Sequence, residues 1–287
     1  MLDLIGQARG AIEALETKLR AITSNISNMS VPGYKRIDVS FQEVFNKVIR
    51  QGTAADTTQN QGGTNPQQVG GGIAISNISV DMTQGSLAEG ADLALAISGS
   101  GFFVVSPDGG ASNLYSRSGN FSVDASGKLV TDSGMQVYGF ARSGGSTNTG
   151  TLVPIGLSGQ TYTNPTFDTN GVLRASYTKD ATTGIVTYGA ELPFQIALTT
   201  FPNPGGLEQR SGTTFAQTAA SGSPTAAAVP TTNSKQGVVN PRMIEQSNVF
   251  YIGETIDALE VQRAMSGNLE IVKMINDTIS QFISKLS

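Results

Sequence analysis

The sequence predicts an α+β protein in which long helices at the two ends of the chain flank a mainly antiparallel β middle. Heptad repeats of apolar residues occupy both ends, while short apolar or alternating runs separated by turn residues fill the middle. Charge is also unevenly spread, because 22 of the 40 charged residues lie in the 97 positions of 1–50 and 241–287. The ends and the middle are therefore expected to be different kinds of structure.

The first helix follows from a seven-residue repeat that begins near the start of the chain. Two apolar rows, three positions apart, run along it: Ile5, Ile12, Leu19 and Ile26, with Ala8, Leu15, Ile22 and Met29. Such spacing is typical of a helix that packs along a partner helix. Because Pro32 and Gly33 break the pattern, the predicted helix is about 28 residues long.

The last helix has the matching pattern and is predicted to run from about Asn248 to the end, with Ser247 or Asn248 as its cap. Its two rows and their extension towards the N-terminus are Met265, Val272, Ile279 and Leu286; Val261, Ile275 and Phe282; and Val249, Ile252, Ile256 and Leu259. Chain ends fray unless something holds them, so apolar spacing up to the penultimate residue indicates a partner helix in the same chain or another. We expect the two terminal helices to form a coiled coil.

The middle of the chain divides by composition. We predict a terminal helical domain at 1–40 and 245–287, an extended connector at 41–72, a β domain at 73–142 and 191–244, and a small outer β insertion at 143–190. Glycine and threonine are frequent within 51–72 of the connector, which is why no strand is predicted there.

Several chemistries are excluded by composition. With no cysteine and no histidine, thiolate catalysis, His-based catalysis and the usual zinc sites cannot be built. Ser98–Gly101 is not a nucleophile elbow, because Ala stands at 96 and no histidine exists to act as base. We predict no catalytic residue, cofactor or metal site. A net charge of −4 argues against nucleic-acid binding, and no apolar run is long enough for a membrane span or resembles a secretory signal.

The run Ser24–Arg36 resembles the N-terminal signature of the bacterial flagellar rod and hook proteins. The likeness continues through further runs: Leu93–Val105, Tyr115–Asp124, Gly127–Val130, Gly134–Phe140, Ser247–Val249 and Gln262–Ala264. The motif positions carried over are Asn25, Asn28, Pro32, Gly33, Tyr34, Asn248, Gln262 and Arg263. One departure is Met265, where the family commonly has an aromatic residue, so the packing detail there is expected to differ.

The resemblance implies a structural subunit, not an enzyme, that polymerises with copies of itself into a helical tube enclosing an export channel. The terminal helices would line that channel and the β domains would face outward. Implied partners are neighbouring rod, hook-cap and junction proteins and the flagellar type III export apparatus. The residues expected to pack between subunits are Ile5, Ile12, Leu15, Leu19, Ile22, Ile26, Ile256, Leu259, Met265, Leu269, Val272, Ile275, Ile279 and Phe282.

Within the family, a short extracellular hook is the preferred prediction. The runs Gly62–Gly70, Gly134–Phe140 and Asn164–Leu173 look more like hook proteins, whereas the short insertion also resembles a periplasmic distal rod protein. A distal rod subunit is thus the alternative. From a different class, a surface adhesin with helical anchors would need a concave polar site that the sequence does not indicate.

Overall fold

The computed structural model describes residues 2–44, 47–52, 54, 62–143, 145–157, 162, 164–179, 186–230 and 236–286. It has the predicted α+β class, with two helices, α1 (Leu2–Ser27) and α2 (Tyr251–Leu286), and a mainly antiparallel β middle. The first eleven strands are β1 (Ile37–Glu43), β2 (Lys47–Arg50), β3 (Gln67–Val69), β4 (Ile73–Val80), β5 (Leu87–Glu89), β6 (Leu95–Ser98), β7 (Phe102–Ser106), β8 (Leu114–Ser116), β9 (Phe121–Val123), β10 (Leu129–Thr131) and β11 (Gln136–Ser143). The rest are β12 (Ser146–Pro154), β13 (Thr166–Phe167), β14 (Val172–Arg174), β15 (Tyr177–Lys179), β16 (Val186–Tyr188), β17 (Glu191–Ile196), β18 (Leu198–Thr199), β19 (Glu208–Ser211), β20 (Thr214–Ala216), β21 (Val238–Pro241) and β22 (Met243–Glu245).

The chain divides into two compact units. Unit 1 contains 1–26, 37–79 and 250–287, and unit 2 contains 27–36 and 80–249. The chain therefore passes from one unit to the other four times. This division differs from the predicted boundaries, because residues 37–79 belong with the terminal helices and the short segment 27–36 belongs with the β structure.

Unit 2 is built on a twelve-stranded sheet in which neighbouring strands pair antiparallel. Its main path runs β13-β14-β17-β11-β7-β8-β20-β19. Side chains such as Phe103, Ile196 and Leu198 are fully buried in its core. Three strands of the predicted outer insertion, β12, β13 and β14, are part of this sheet, since β12 pairs with β11 and β14 with β17, while β15 and β16 form a separate hairpin.

The described part of unit 1 contains the two helices and four strands. β1 pairs with β4, and β2 pairs antiparallel with β3. The predicted connector thus contains β2 and β3, whose Lys, Arg and Gln residues conceal the strand signal that apolar alternation would give. Connector residues 45–46, 53 and 55–61 lie outside the described part of the chain.

Both helices are slightly shorter than predicted. α1 ends at Ser27, and the chain then turns, with the backbone N–H of Val31 donating to the carbonyl of Asn28 at 3.0 Å. α2 starts at Tyr251, so neither Ser247 nor Asn248 caps it. Asn248 instead uses its side chain to bind other segments of unit 2.

Candidate functional site

The two helices pack on each other in unit 1. Leu15 and Ile22 of α1 are buried against Val261 of α2, and partly buried side chains surround them: Leu19, Ile26, Phe41, Ala258 and Met265. Asn25, near the end of α1, donates to the Glu254 carboxylate, near the start of α2, at 3.1 Å. The helices therefore run in opposite directions from this point.

The covered face of α2, called the α2 seam here, keeps strict heptad spacing. Its members are four and three residues apart in alternation, and none is exposed: Glu254, Ala258, Val261, Met265, Asn268, Val272, Ile275 and Ile279. This spacing is that of a helix packed along a neighbouring helix. It supports a coiled coil but does not establish one, so the coiled coil remains a prediction.

The residues predicted to pack between subunits fall into three groups. Leu15, Ile22 and Ile275 are buried within this chain. A second group is half-buried: Ile5, Ile12, Leu19, Ile26, Met265, Val272 and Ile279. The third group is exposed: Ile256, Leu259, Leu269 and Phe282. Five of these residues belong to the apolar cluster shared by the two helices: Leu15, Leu19, Ile22, Ile26 and Met265. Packing of the set between subunits remains a prediction.

Ile252, Ile256 and Leu259 do not continue the apolar rows of α2 as predicted. At 100° per residue they lie on the side of the helix opposite the seam, and each is more than half exposed, at 57%, 51% and 54%. The seam itself continues towards the N-terminus through Ala258 and Glu254, a small and a charged residue. The large apolar residues at this end of α2 therefore mark the exposed side of the helix and not the side that packs.

Asn25, a family-motif residue, is a structural bridge inside unit 1. Its side chain is 1% exposed; its amide oxygen accepts from the backbone N–H of Ile37, and its amide nitrogen donates to the Ile37 carbonyl, both at 2.9 Å. The same nitrogen reaches Glu254, which is 3% exposed. A carboxylate in the first turn of α2 also suits the helix dipole. Asn25 thus joins β1 to both helices.

The turn after α1 is fixed by Gly33 and Tyr34. Gly33 has φ of 73°, and a Cβ there would lie 2.6 Å from the backbone nitrogen of Ser118, so only glycine fits. Its N–H donates to the carbonyl of Glu245 at 2.7 Å. Tyr34 is buried, whereas Pro32 and Asn28 are half-buried. These motif residues dock segment 27–36 on the rest of unit 2.

A buried ion cluster of Lys35, Arg117 and Glu245 lies beside this turn. The Lys35 ammonium is 2.6 Å from Oε1 of Glu245, and Nε of Arg117 is 2.7 Å from Oε2. Side chains of all three are at most 5% exposed. Lys35 also donates to the carbonyl of Thr83, and Arg117 donates to backbone carbonyls between β6 and β7. One carboxylate therefore holds two cations from separate parts of the sequence.

Burial lowers the pKa of Lys35 from its usual value, while the neighbouring Glu245 acts in the opposite direction. The cause is desolvation, which penalises the charged amine. Sequence reasoning did not select this cluster. Lys35 and Arg117 lie within the motif runs Ser24–Arg36 and Tyr115–Asp124. Charged residues inside those runs could therefore have indicated two members of the cluster. Nothing in the sequence indicates Glu245.

Asn248 performs a similar task in unit 2. Its side-chain oxygen accepts from the backbone N–H of Arg36 at 2.8 Å, and its nitrogen donates to the carbonyls of Asp81 and Thr83. The two other motif residues near the C-terminus, Gln262 and Arg263, are exposed on α2. Some motif residues, such as Asn25 and Asn248, therefore hold parts of the fold together, whereas Gln262 and Arg263 lie on the surface.

The described residues can be tested for two common kinds of functional site, a metal centre and a membrane span. Among them no group of three or more acidic side chains is placed to hold a metal ion. Neither α1 nor α2 combines the length and the apolar composition of a membrane span. One side of α2 exposes large apolar side chains, among them Ile252, Ile256 and Leu259.

Comparison with known proteins gives two family matches. Residues 7–35 match the family described as "Flagella basal body rod protein", and residues 96–175 match "Flagellar hook protein FlgE/F/G D1 domain". Both descriptions name structural components. The matches cover α1 with its following turn and the centre of the large sheet.

Relatives of two kinds are found. The flagellar basal-body rod protein FlgG of Bacillus subtilis is 28% identical over 287 residues, and FlgG of Caulobacter vibrioides is 29% identical over 289 residues, in each case over 99% of both chains. The flagellar hook protein FlgE of Treponema pallidum is 36% identical over 127 residues, which is 44% of this chain and 27% of that protein. With its rod signature, its hook and rod β domain and its full-length correspondence to rod proteins, this chain belongs to the flagellar rod and hook protein family.

Proposed function

We propose that this protein is an axial subunit of the bacterial flagellum, which polymerises with copies of itself into a helical tube. The observation that carries the proposal is the row of exposed apolar residues on α2, on the side of the helix facing away from the α2 seam. A helix with apolar residues on opposite sides needs a second partner. Membership of a family of structural flagellar subunits supplies the natural partner, another copy.

Full-length correspondence supports a distal rod position in the periplasm. The rod relatives match over 99% of their length, whereas the hook relative matches over 27%. The hook preferred from sequence remains the second candidate, because the shared region is 36% identical to a hook protein and one family match is named for the hook. Contacts with neighbouring rod, cap or junction proteins and passage through the flagellar export apparatus are part of either proposal.

Electron microscopy of concentrated purified protein tests polymerisation. We expect tubes with a central channel, formed above a threshold concentration. Straight tubes, with labelled protein confined to the periplasmic basal body, support the distal rod, while curved tubes outside the cell support the hook. A protein that stays monomeric at every concentration and binds a surface glycan would contradict the axial proposal and favour an adhesin.

A further inference from the structure

Unit 1 carries two surface features of complementary shape. The first is the α2 ridge, formed by Ile252, Ile256 and Leu259, whose side chains are all more than half exposed. Its positions four and three residues apart place the three side chains in one row. The next position in that row is Arg263, which is exposed. The ridge is therefore bulky and apolar, with a guanidinium at its C-terminal end.

The second feature is the α1 groove, which lies between α1 and the β4 region and has a volume of about 740 Å³. The α1 side contributes small residues, Gly6, Gly10 and Ala14, and the opposite wall includes Ile73 and Ile75. A Cβ added at Gly6 or Gly10 would meet nothing within 4 Å. The missing side chains thus leave open space along the helix.

The groove and the ridge also match in charge. Of the described residues that line the groove, only Glu13 is charged, and the row of the ridge ends in Arg263. Glu13 pairs with Arg9 at 2.8 Å, but both side chains are well exposed, at 61% and 79%. Exposed pairs of this kind contribute little to stability, so Glu13 is free to exchange its partner.

We infer that the α2 ridge of one copy packs into the α1 groove of a second copy, with Arg263 meeting Glu13. The inference rests on the proposed function and specifies which surfaces join. Ridge and groove are different surfaces of one chain, so the contact is heterologous, and a copy bound at its groove still offers its ridge. Contacts of this type propagate into open helical assemblies.

A charge exchange tests the pairing in the full-length protein. Glu13→Arg and Arg263→Glu should each raise the threshold concentration for tube formation at least about tenfold, because each places like charges together. The double variant should return to within about threefold of the original protein. Matched controls are Glu16→Arg and Lys273→Glu, which reverse the same charges at positions outside the ridge and the groove lining and should leave the threshold unchanged.

A second pair of variants tests the groove without charge. Gly10→Leu fills the groove and improves helix propensity, so it should block assembly while the helix content of the monomer is kept. Gly10→Ala also improves propensity but leaves most of the groove open, and it should assemble.

The outcomes separate the inference from the proposed function. If the original protein forms tubes while Gly10→Leu and the single charge variants assemble equally well, the inference is wrong and polymerisation stands. A double variant no better than the singles would also overturn the pairing. An original protein that never assembles removes the proposed function and this inference with it.

Discussion

Unit 2 places charge inside, whereas unit 1 places apolar side chains outside. In unit 2 the ion cluster of Lys35, Arg117 and Glu245 is almost completely buried, and it holds together segments that are far apart in sequence. In unit 1 the ridge residues of α2 are more than half exposed. The difference teaches that unit 2 pairs the charges of this cluster within itself, while unit 1 exposes apolar surface that the proposed assembly would cover.

Hydrogen exchange of the dilute full-length monomer should show the largest difference between the two units, in the free energy of amide opening. Long helices with uncovered apolar faces are marginal in water, so amides of α1 and α2 should open at a cost of only about 1–2 kcal/mol. Amides of the large sheet should report global unfolding, at about 5–15 kcal/mol. Segment 27–36 should exchange with the sheet despite following α1 directly. Equal protection of both units would show that unit 1 is complete without a partner.

Glu245→Gln should cause the next largest effect. It keeps the shape of the side chain but leaves two buried cations without a carboxylate, which should lower the free energy of unfolding by about 3–5 kcal/mol. Urea unfolding should show a lower midpoint with an unchanged slope.

The control for that variant is Glu208→Gln, which removes an exposed carboxylate 3.3 Å from Arg210. It should change the free energy of unfolding by no more than about 0.5 kcal/mol. If Glu245→Gln also stayed below about 1 kcal/mol, the cluster would not be what holds segment 27–36 in unit 2.

The smallest expected effect is the dependence of the free energy of unfolding on pH through Lys35. Burial lowers the pKa of Lys35 in the folded protein, whereas the unfolded chain keeps the usual value near 10.5. Between the two values the unfolded state binds the proton that the folded state has lost. The free energy of unfolding should therefore rise with pH there, by less than about 1.4 kcal/mol per pH unit.

Urea unfolding of the original protein and of Lys35→Met across that pH window isolates this effect. Tyrosines titrate in both proteins, so their contribution cancels in the difference between the two. The free energy of unfolding of the original protein minus that of Lys35→Met should increase with pH. A decrease with pH would mean that Glu245 outweighs burial and raises the pKa of Lys35.

The fold class and the two helices could be predicted because heptad spacing is a direct consequence of helix geometry. The strands within the predicted connector and insertion were harder to predict from the sequence. β12 is built from small polar residues, STNTGTLVP, and its pairing with β11 depends on tertiary contacts that local composition does not encode.

The site could be predicted only in part. Motif residues such as Asn25, Gly33 and Asn248 stand out in the sequence, but their hydrogen-bond partners lie up to 229 residues away and become visible only in the fold. Glu245 carries no local signal at all. The side of α2 on which Ile256 and Leu259 lie was misjudged because the seam there is formed by Ala258, which is small, and Glu254, which is charged.

The four passages of the chain between the units have a mechanical consequence. Two bodies joined by one strand of polypeptide can swivel about it, since single bonds in the link rotate freely. Here the backbone crosses at 26/27, 36/37, 79/80 and 249/250, so a relative rotation would have to wind four covalent strands around one another. Such a link restricts rotation through the covalent backbone alone.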